Sequence, residues 1–274
     1  MFSELQKVFK SNIKSLEILA LIKGRKPGAR ILVREDEAGD VGEFLNDRGI
    51  STVKSDFKIL KKDEGPYSDF GEKIKADDAR KGYYVLYLSK GRNEAEKLKS
   101  LEAKNDHYNL GIALGYPECC CRFFCDNFSK GNEDLTLNTL KNSIGFSFGF
   151  HSNIAMRHFD VSLLFHFPCS FGCEDSIEIA KENLKIMEEE DGEWAKIFRG
   201  MLKGAVIYSP VDVILLRRAK LDGRKVHYDG IMALKQNVLY NQLKKEDFIL
   251  VSNNSSFRIG HAEYSSNIGI MHFS

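Results

Sequence analysis

Gly115-Tyr116-Pro117-Glu118-Cys119-Cys120-Cys121-Arg122-Phe123-Phe124-Cys125 ends one helix, starts the next and carries four of the chain's six cysteines. Glycine is the residue that most readily closes a helix. Proline is favoured at the first position of a helix, because its missing N–H would find no partner there. Thiols just behind that proline sit at the positive end of the helix dipole, where the thiolate is favoured. The other two cysteines lie in His166-Phe167-Pro168-Cys169-Ser170-Phe171-Gly172-Cys173, where Pro168 stands directly before the first thiol and not one residue from it as Pro117 does. The pattern predicts two helix starts, each arming cysteines.

Upstream of the first segment, Phe2, Leu5, Phe9, Ile13, Leu16 and Ala20 recur at three- and four-residue spacing, which predicts one amphipathic helix ended by Gly24–Gly28. Ala29–Arg34 reads as a buried strand, Asp40–Arg48 as a short helix closed by Gly49, and residues 50–60 as a half-buried strand. A turn follows at Glu64-Gly65-Pro66, then a strand over Gly82–Ser89. Residues 93–114 are helical in pattern, with Ala95, Leu98, Leu101, Leu110 and Leu114 as the apolar positions.

Downstream, helical texture runs to Lys141 and yields to a glycine- and phenylalanine-rich connector, Gly145–Phe150. Phe159–Phe167 alternates as a strand would, and a long helix is expected from Ser170 to Glu190, with Cys173, Ile177, Ala180, Leu184 and Met187 as its stripe. Asp222-Gly223 marks a hairpin between Val211–Ala219 and Lys225–Leu234, with further strands at Phe248–Ser252 and Ile268–Phe273. The expected fold class is α+β, or loosely α/β. It divides into a small α/β layer over residues 1–92, a helical cysteine-bearing middle over 93–200 and a β-rich part over 201–274.

The chain has 274 residues, 43% hydrophobic and 29% charged, with a formal net charge of +1. That balance describes a globular protein and makes no global case for nucleic acid or an anionic membrane. Between 212 and 247 Lys and Arg exceed acids by eight to five, a mild excess that leaves nucleic acid a secondary partner beside a small-molecule or macromolecular substrate. No signal peptide or spanning segment is visible, so the expected compartment is the cytoplasm. Thiols stay reduced there, and clustered cysteines read as metal-binding or catalytic before they read as disulfides. The motifs of nucleotide-binding loops, zinc proteases and serine hydrolases are absent.

Three chemistries can use the thiols. In the first, Cys119, Cys120, Cys169 and Cys173 hold a metal, an iron–sulfur cluster ranked just ahead of zinc, in a protein of redox or sulfur-transfer type or in a zinc-stapled module for RNA or protein. Their spacing matches neither paired Cys-x2-Cys zinc motifs nor a ferredoxin run. In the second, Cys169 or Cys119 is a nucleophile for acyl or thiol transfer, deprotonated by His166 or His158. In the third, the cysteines are core. Cys121 and Cys125 share an i, i+4 face with Phe124 and Phe128, so those two are assigned to packing. Trp194 is assigned to packing as well.

The same residues resemble an uncharacterised prokaryotic, largely archaeal family, domain of unknown function 483. The resemblance rests on Gly-Tyr-Pro-Glu-Cys-Cys at 115–120, on His166-x-Pro168-Cys169-Ser170-x-x-Cys173 with Ser176 and Ala180 beyond, and on Ala205-Val206 to Tyr228-Asp229. It covers roughly residues 105–235. It implies that Cys119, Cys120, His166, Cys169 and Cys173 belong to a shared pattern, while Cys121 and Cys125 are additions in this chain.

Overall fold

A computed structural model describes residues 1–62 and 71–274; the expected turn at Glu64-Gly65-Pro66 lies outside the described residues. The fold is α+β. The chain forms two compact units, one of Met1–Asp126 with Glu182–Gly192, the other of Asn127–Lys181 with Glu193–Ser274. The segment 93–200, drawn from composition as one body, is thus distributed over both.

In the first unit the N-terminal apolar stripe is carried by two helices rather than one, α1 (Phe2–Phe9) and α2 (Asn12–Ile22). Lys10 takes a left-handed conformation (φ 51°), and Ser11 then caps α2 by accepting a hydrogen bond from Lys14 N. Phe9 and Ile13 are both buried, so the stripe continues across a break it cannot reveal. Four strands follow: β1 (Gly28–Arg34), then, after α3 (Ala38–Asn46), β2 (Ser51–Lys61), β3 (Gly71–Lys75) and β4 (Tyr83–Ser89). They pair antiparallel in the order β1-β4-β2-β3, with Leu32 opposite Val85 and Thr52 opposite Leu88. The sequence pattern misses β3, an edge strand with Ile74 its one buried residue and charges at Glu72, Lys73 and Lys75, as sheet edges tend to be.

The expected helical stretch 93–114 is likewise two helices, α4 (Arg92–Ala103) and α5 (His107–Ala113), broken at Asn105 (φ 54°) and restarted by the Asp106 side chain, which accepts from Asn109 N. Leu32, Val53, Val85 and Tyr87 of the sheet pack with Ala95, Leu98, Leu110 and Leu114. A two-pronged ion pair, Arg30 to Glu102, ties β1 to the end of α4. The helix α6 (Glu118–Asn127) follows directly.

Beyond it come α7 (Thr136–Lys141), the short β5 (Ser147–Phe148) and two 3-10 turns, Phe150–Ser152 and Ala155–Phe159. The expected strand over Phe159–Phe167 does not form. Asp160 is left-handed, and Val161, Ser162, Leu163 and Leu164 are all buried, so no solvent face exists for alternation to address. Ser162 Oγ donates to Leu164 O and accepts from Leu164 N, a local substitute for sheet pairing. The next helix, α8 (Glu174–Glu190), starts four residues after the expected Ser170.

After α9 (Gly192–Leu202) the second unit is β-rich: β6 (Gly204–Ser209), β7 (Asp212–Arg217), β8 (Lys220–Asp222), β9 (Lys225–His227) and β10 (Gly230–Ala233), then α10 (Val238–Leu243), β11 (Phe248–Asn253), β12 (Ser256–Ile259), β13 (Ala262–Ser265) and β14 (Gly269–Phe273). They build two five-stranded sheets, ordered β10-β7-β6-β14-β5 and β13-β12-β11-β9-β8. The predicted hairpin turns at Gly223 (φ 59°), but its arms are shared between sheets: β8 pairs β9 in one, β7 pairs β10 in the other. Between them lies an apolar core that includes Ile207, Ile214, Leu216, Val226, Ile249, Val251 and Phe257.

Candidate metal centre

The first pair of thiols owes its position to the turn between α5 and α6. Gly115 N donates to Ile112 O and Tyr116 N to Gly111 O, a Schellman closure that needs the left-handed backbone Gly115 adopts (φ 81°). A Cβ at Gly115 would lie 2.6 Å from Pro27 Cδ, so glycine is required by both conformation and space. Pro117 then stands one residue earlier than expected, just outside α6: its carbonyl accepts from Cys120 N (3.0 Å) and Cys121 N (2.9 Å) and so starts the helix. Cys119 and Cys120 fall in the first turn. Neighbouring side chains on a helix diverge by about 100°, yet these two sulfurs are 3.8 Å apart.

The second pair sits in a loop rather than in a helix. Cys173, expected one turn inside, is the residue before α8: its carbonyl accepts from Ile177 N and its own N–H donates to Ser170 O. The loop is pinned from outside. Thr139 Oγ1 donates to Pro168 O (2.8 Å), Phe171 N donates to Ser143 Oγ (2.8 Å), and Ser152 Oγ donates to Phe171 O (2.7 Å). His166 braces the same region, with Nε2 2.9 Å from the buried Ser176 Oγ in the first turn of α8. The sequence pattern did not single out Thr139, Ser143 or Ser152.

The Sγ atoms of Cys119, Cys120, Cys169 and Cys173 all lie within 4.8 Å of one another, a group able to hold a metal ion. Cys120 and Cys173 are buried, Cys169 is partly covered and Cys119 is exposed. The two remaining cysteines divide. Cys121 is buried against Gly111, with its Sγ 3.7 Å from Tyr116 O, and burial followed by the neighbouring thiols pushes its pKa up to about 11. Cys125, assigned to packing by its spacing, is exposed instead. The buried residues of α6 are Cys120, Cys121 and Phe123, a face rotated from the predicted one. Partial desolvation and then the nearby acids Asp126 and Asp106 still raise the Cys125 thiol above its ordinary value.

His158, the other histidine proposed as a base, belongs to a polar group of its own. Its Nε2 is 3.2 Å from Asp134 Oδ2 and 3.4 Å from the hydroxyl of the buried Tyr208. Burial would raise the Asp134 carboxyl, but the His158 bond, the charge of Arg157 and the bonds from Thr136 hold it well below the usual carboxylate range. Asp134 was missed in the sequence, although Asp134-Leu135-Thr136 ahead of a helix is a side-chain turn signal, here with Thr136 N donating to Asp134 Oδ1 at 2.9 Å.

No family model, curated protein or solved structure matches the chain. Among the described residues, no helix is long and apolar enough to cross a membrane.

Proposed function

We propose that Cys119, Cys120, Cys169 and Cys173 bind one tetrahedral metal ion, zinc, as a closed centre that staples two distant stretches of sequence. The observation that carries this is the mutual separation of the four sulfurs, every pair within 4.8 Å. Bonds of about 2.3 Å from a single ion to four thiolates place the sulfurs about 3.8 Å apart, the separation that Cys119 and Cys120 already have. Even sulfurs at the 4.8 Å limit close onto such an ion with inward shifts of roughly 0.6 Å each. In an iron–sulfur cluster the thiolates are shared among different irons and must stand wider apart by the iron–iron spacing. The separations support a mononuclear centre, and on that ground zinc is proposed here ahead of the iron–sulfur cluster.

Four thiolates leave no open coordination position, so the ion's contribution is structural rather than the activation of water. His166 is a positioning residue in this scheme: it holds the first turn of α8, next to Cys173. His158 in this scheme belongs to the group it forms with Asp134 and Tyr208. Membership of the domain of unknown function 483 family is proposed on the same footing. Its support is that the residues of the shared pattern are the four sulfur donors and their brace.

Metal analysis and a visible spectrum after anaerobic purification test the reading. The expected protein is colourless with about one zinc per chain, loses it on Cys120→Ala or Cys173→Ala, and keeps it on Cys121→Ala. Iron with acid-labile sulfide, or a metal-free chain, overturns it.

A further inference from the structure

The four sulfurs are unequally covered, and that asymmetry has chemical consequences. Cys120 and Cys173 are buried and Cys169 is half-covered, while Cys119 alone of the four is exposed. A thiol bound to a metal is deprotonated outright, whatever its pKa as a free group. Oxidation of cysteine follows thiolate character and exposure, and it is reversible where a second thiol stands ready to resolve the first product. Cys119 meets both conditions, with three other sulfurs within 4.8 Å.

We infer that Cys119 is a peroxide-reactive site, and that its oxidation, resolved by a thiol of the Cys169–Cys173 loop, ejects the metal. The inference rests on the tetrathiolate centre proposed above. The Cys119 thiolate attacks one oxygen of hydrogen peroxide; the O–O bond breaks, hydroxide leaves, and the sulfur becomes a sulfenic acid. A thiolate of Cys169 or Cys173 then attacks that sulfur, a disulfide forms and a second hydroxide leaves. Two thiolates have lost two electrons in total, and peroxide has taken up both. The ion, left with two ligands, departs.

Geometry also selects the resolving partner. Cys120 Sγ is near, at 3.8 Å, but adjacent residues joined by a trans peptide have Cα atoms about 3.8 Å apart, short of the roughly 4.4–6.8 Å that an unstrained disulfide spans. Cys169 and Cys173 are fifty or more positions away in sequence, so no such restriction applies to them. The result is a centre that alternates between a zinc staple and a disulfide staple joining the same two stretches, according to the peroxide level.

The test uses the full zinc-loaded chain, with zinc release followed by a colorimetric chelator and disulfides mapped by mass spectrometry without reduction. Hydrogen peroxide is expected to release about one equivalent of zinc and to join Cys119 to Cys169 or Cys173. A dithiol with added zinc should restore the starting state, and Cys125→Ser should respond as the wild type does. Retention of zinc, a vicinal Cys119–Cys120 bond, or sulfinic acid at Cys119 without a disulfide overturns the inference. The two failures are separable, because the zinc count is taken before peroxide is added. A chain without zinc at the outset sinks the metal reading and this inference with it, whereas zinc that survives peroxide sinks the inference alone.

Discussion

Gly111→Ala probes whether Cys121 packs or ligates. Gly111 lies inside α5, and a Cβ there would sit 2.6 Å from Cys121 Sγ and 3.5 Å from Cys121 Cβ, the first distance too short for any real contact. Two effects oppose each other. Alanine in a helix interior is better than glycine by about 1 kcal/mol, while overpacking a filled site costs about 1–3 kcal/mol. The single variant should therefore range from near neutral to about 2 kcal/mol less stable. Cys121→Ala alone removes one buried heavy atom and should cost about 1 kcal/mol. Combining them empties the space the new methyl needs, so Gly111→Ala becomes stabilising in that background. The coupling between the two sites is then about 1–3 kcal/mol, read from urea midpoints in a double-mutant cycle. Additivity within about 0.5 kcal/mol would refute the packing argument. Loss of zinc from Cys121→Ala would refute the assignment of Cys121 outside the centre.

Three further outcomes follow from the geometry. With its pKa near 11, Cys121 is thiolate in only about one molecule in a thousand at pH 8; iodoacetamide should label Cys119 of the folded, metal-stripped chain well before Cys121, and the reverse order would contradict the burial argument. Gly115→Ala places a side chain in a left-handed position against Pro27, costing about 2 kcal/mol from the backbone alone, and it should weaken zinc binding by moving the start of α6; wild-type values for both Tm and zinc affinity would refute this. The Asp134 carboxyl is depressed in the folded state, so its stabilisation is present above the unfolded pKa near 4 and drains away as pH falls below it. Asp134→Asn should accordingly flatten the acid side of the stability profile, and an unchanged acid limb would exclude the effect.

Local chemistry was legible wherever a single short-range rule decided the backbone. The strands Gly28–Arg34 and Tyr83–Ser89, the closure at Gly115 and the start at Pro117 follow from periodicity, glycine's access to left-handed φ and proline's missing donor. The breaks at Lys10 and Asn105 were not legible. In each, a non-glycine residue takes a positive φ and a polar side chain restarts the helix while the apolar spacing runs on unchanged. Phe159–Phe167 failed for the opposite reason, since its alternation was genuine but both sides of Val161–Leu164 are buried.

For the site itself, the sequence alone separated Cys119, Cys120, Cys169 and Cys173 as candidate ligands, because proline, glycine and helix starts are local signals. Only the tertiary structure decided that these four sulfurs lie within 4.8 Å of one another, that Cys121 is enclosed by Gly111, and that Cys125 faces outward. A helix repeats every 3.6 residues whatever surrounds it, so spacing can say which side chains share a face but not which neighbour covers that face. The number of metal ions that four thiols can hold depends on the distances between their sulfurs, and those distances are set by chain segments about fifty residues apart.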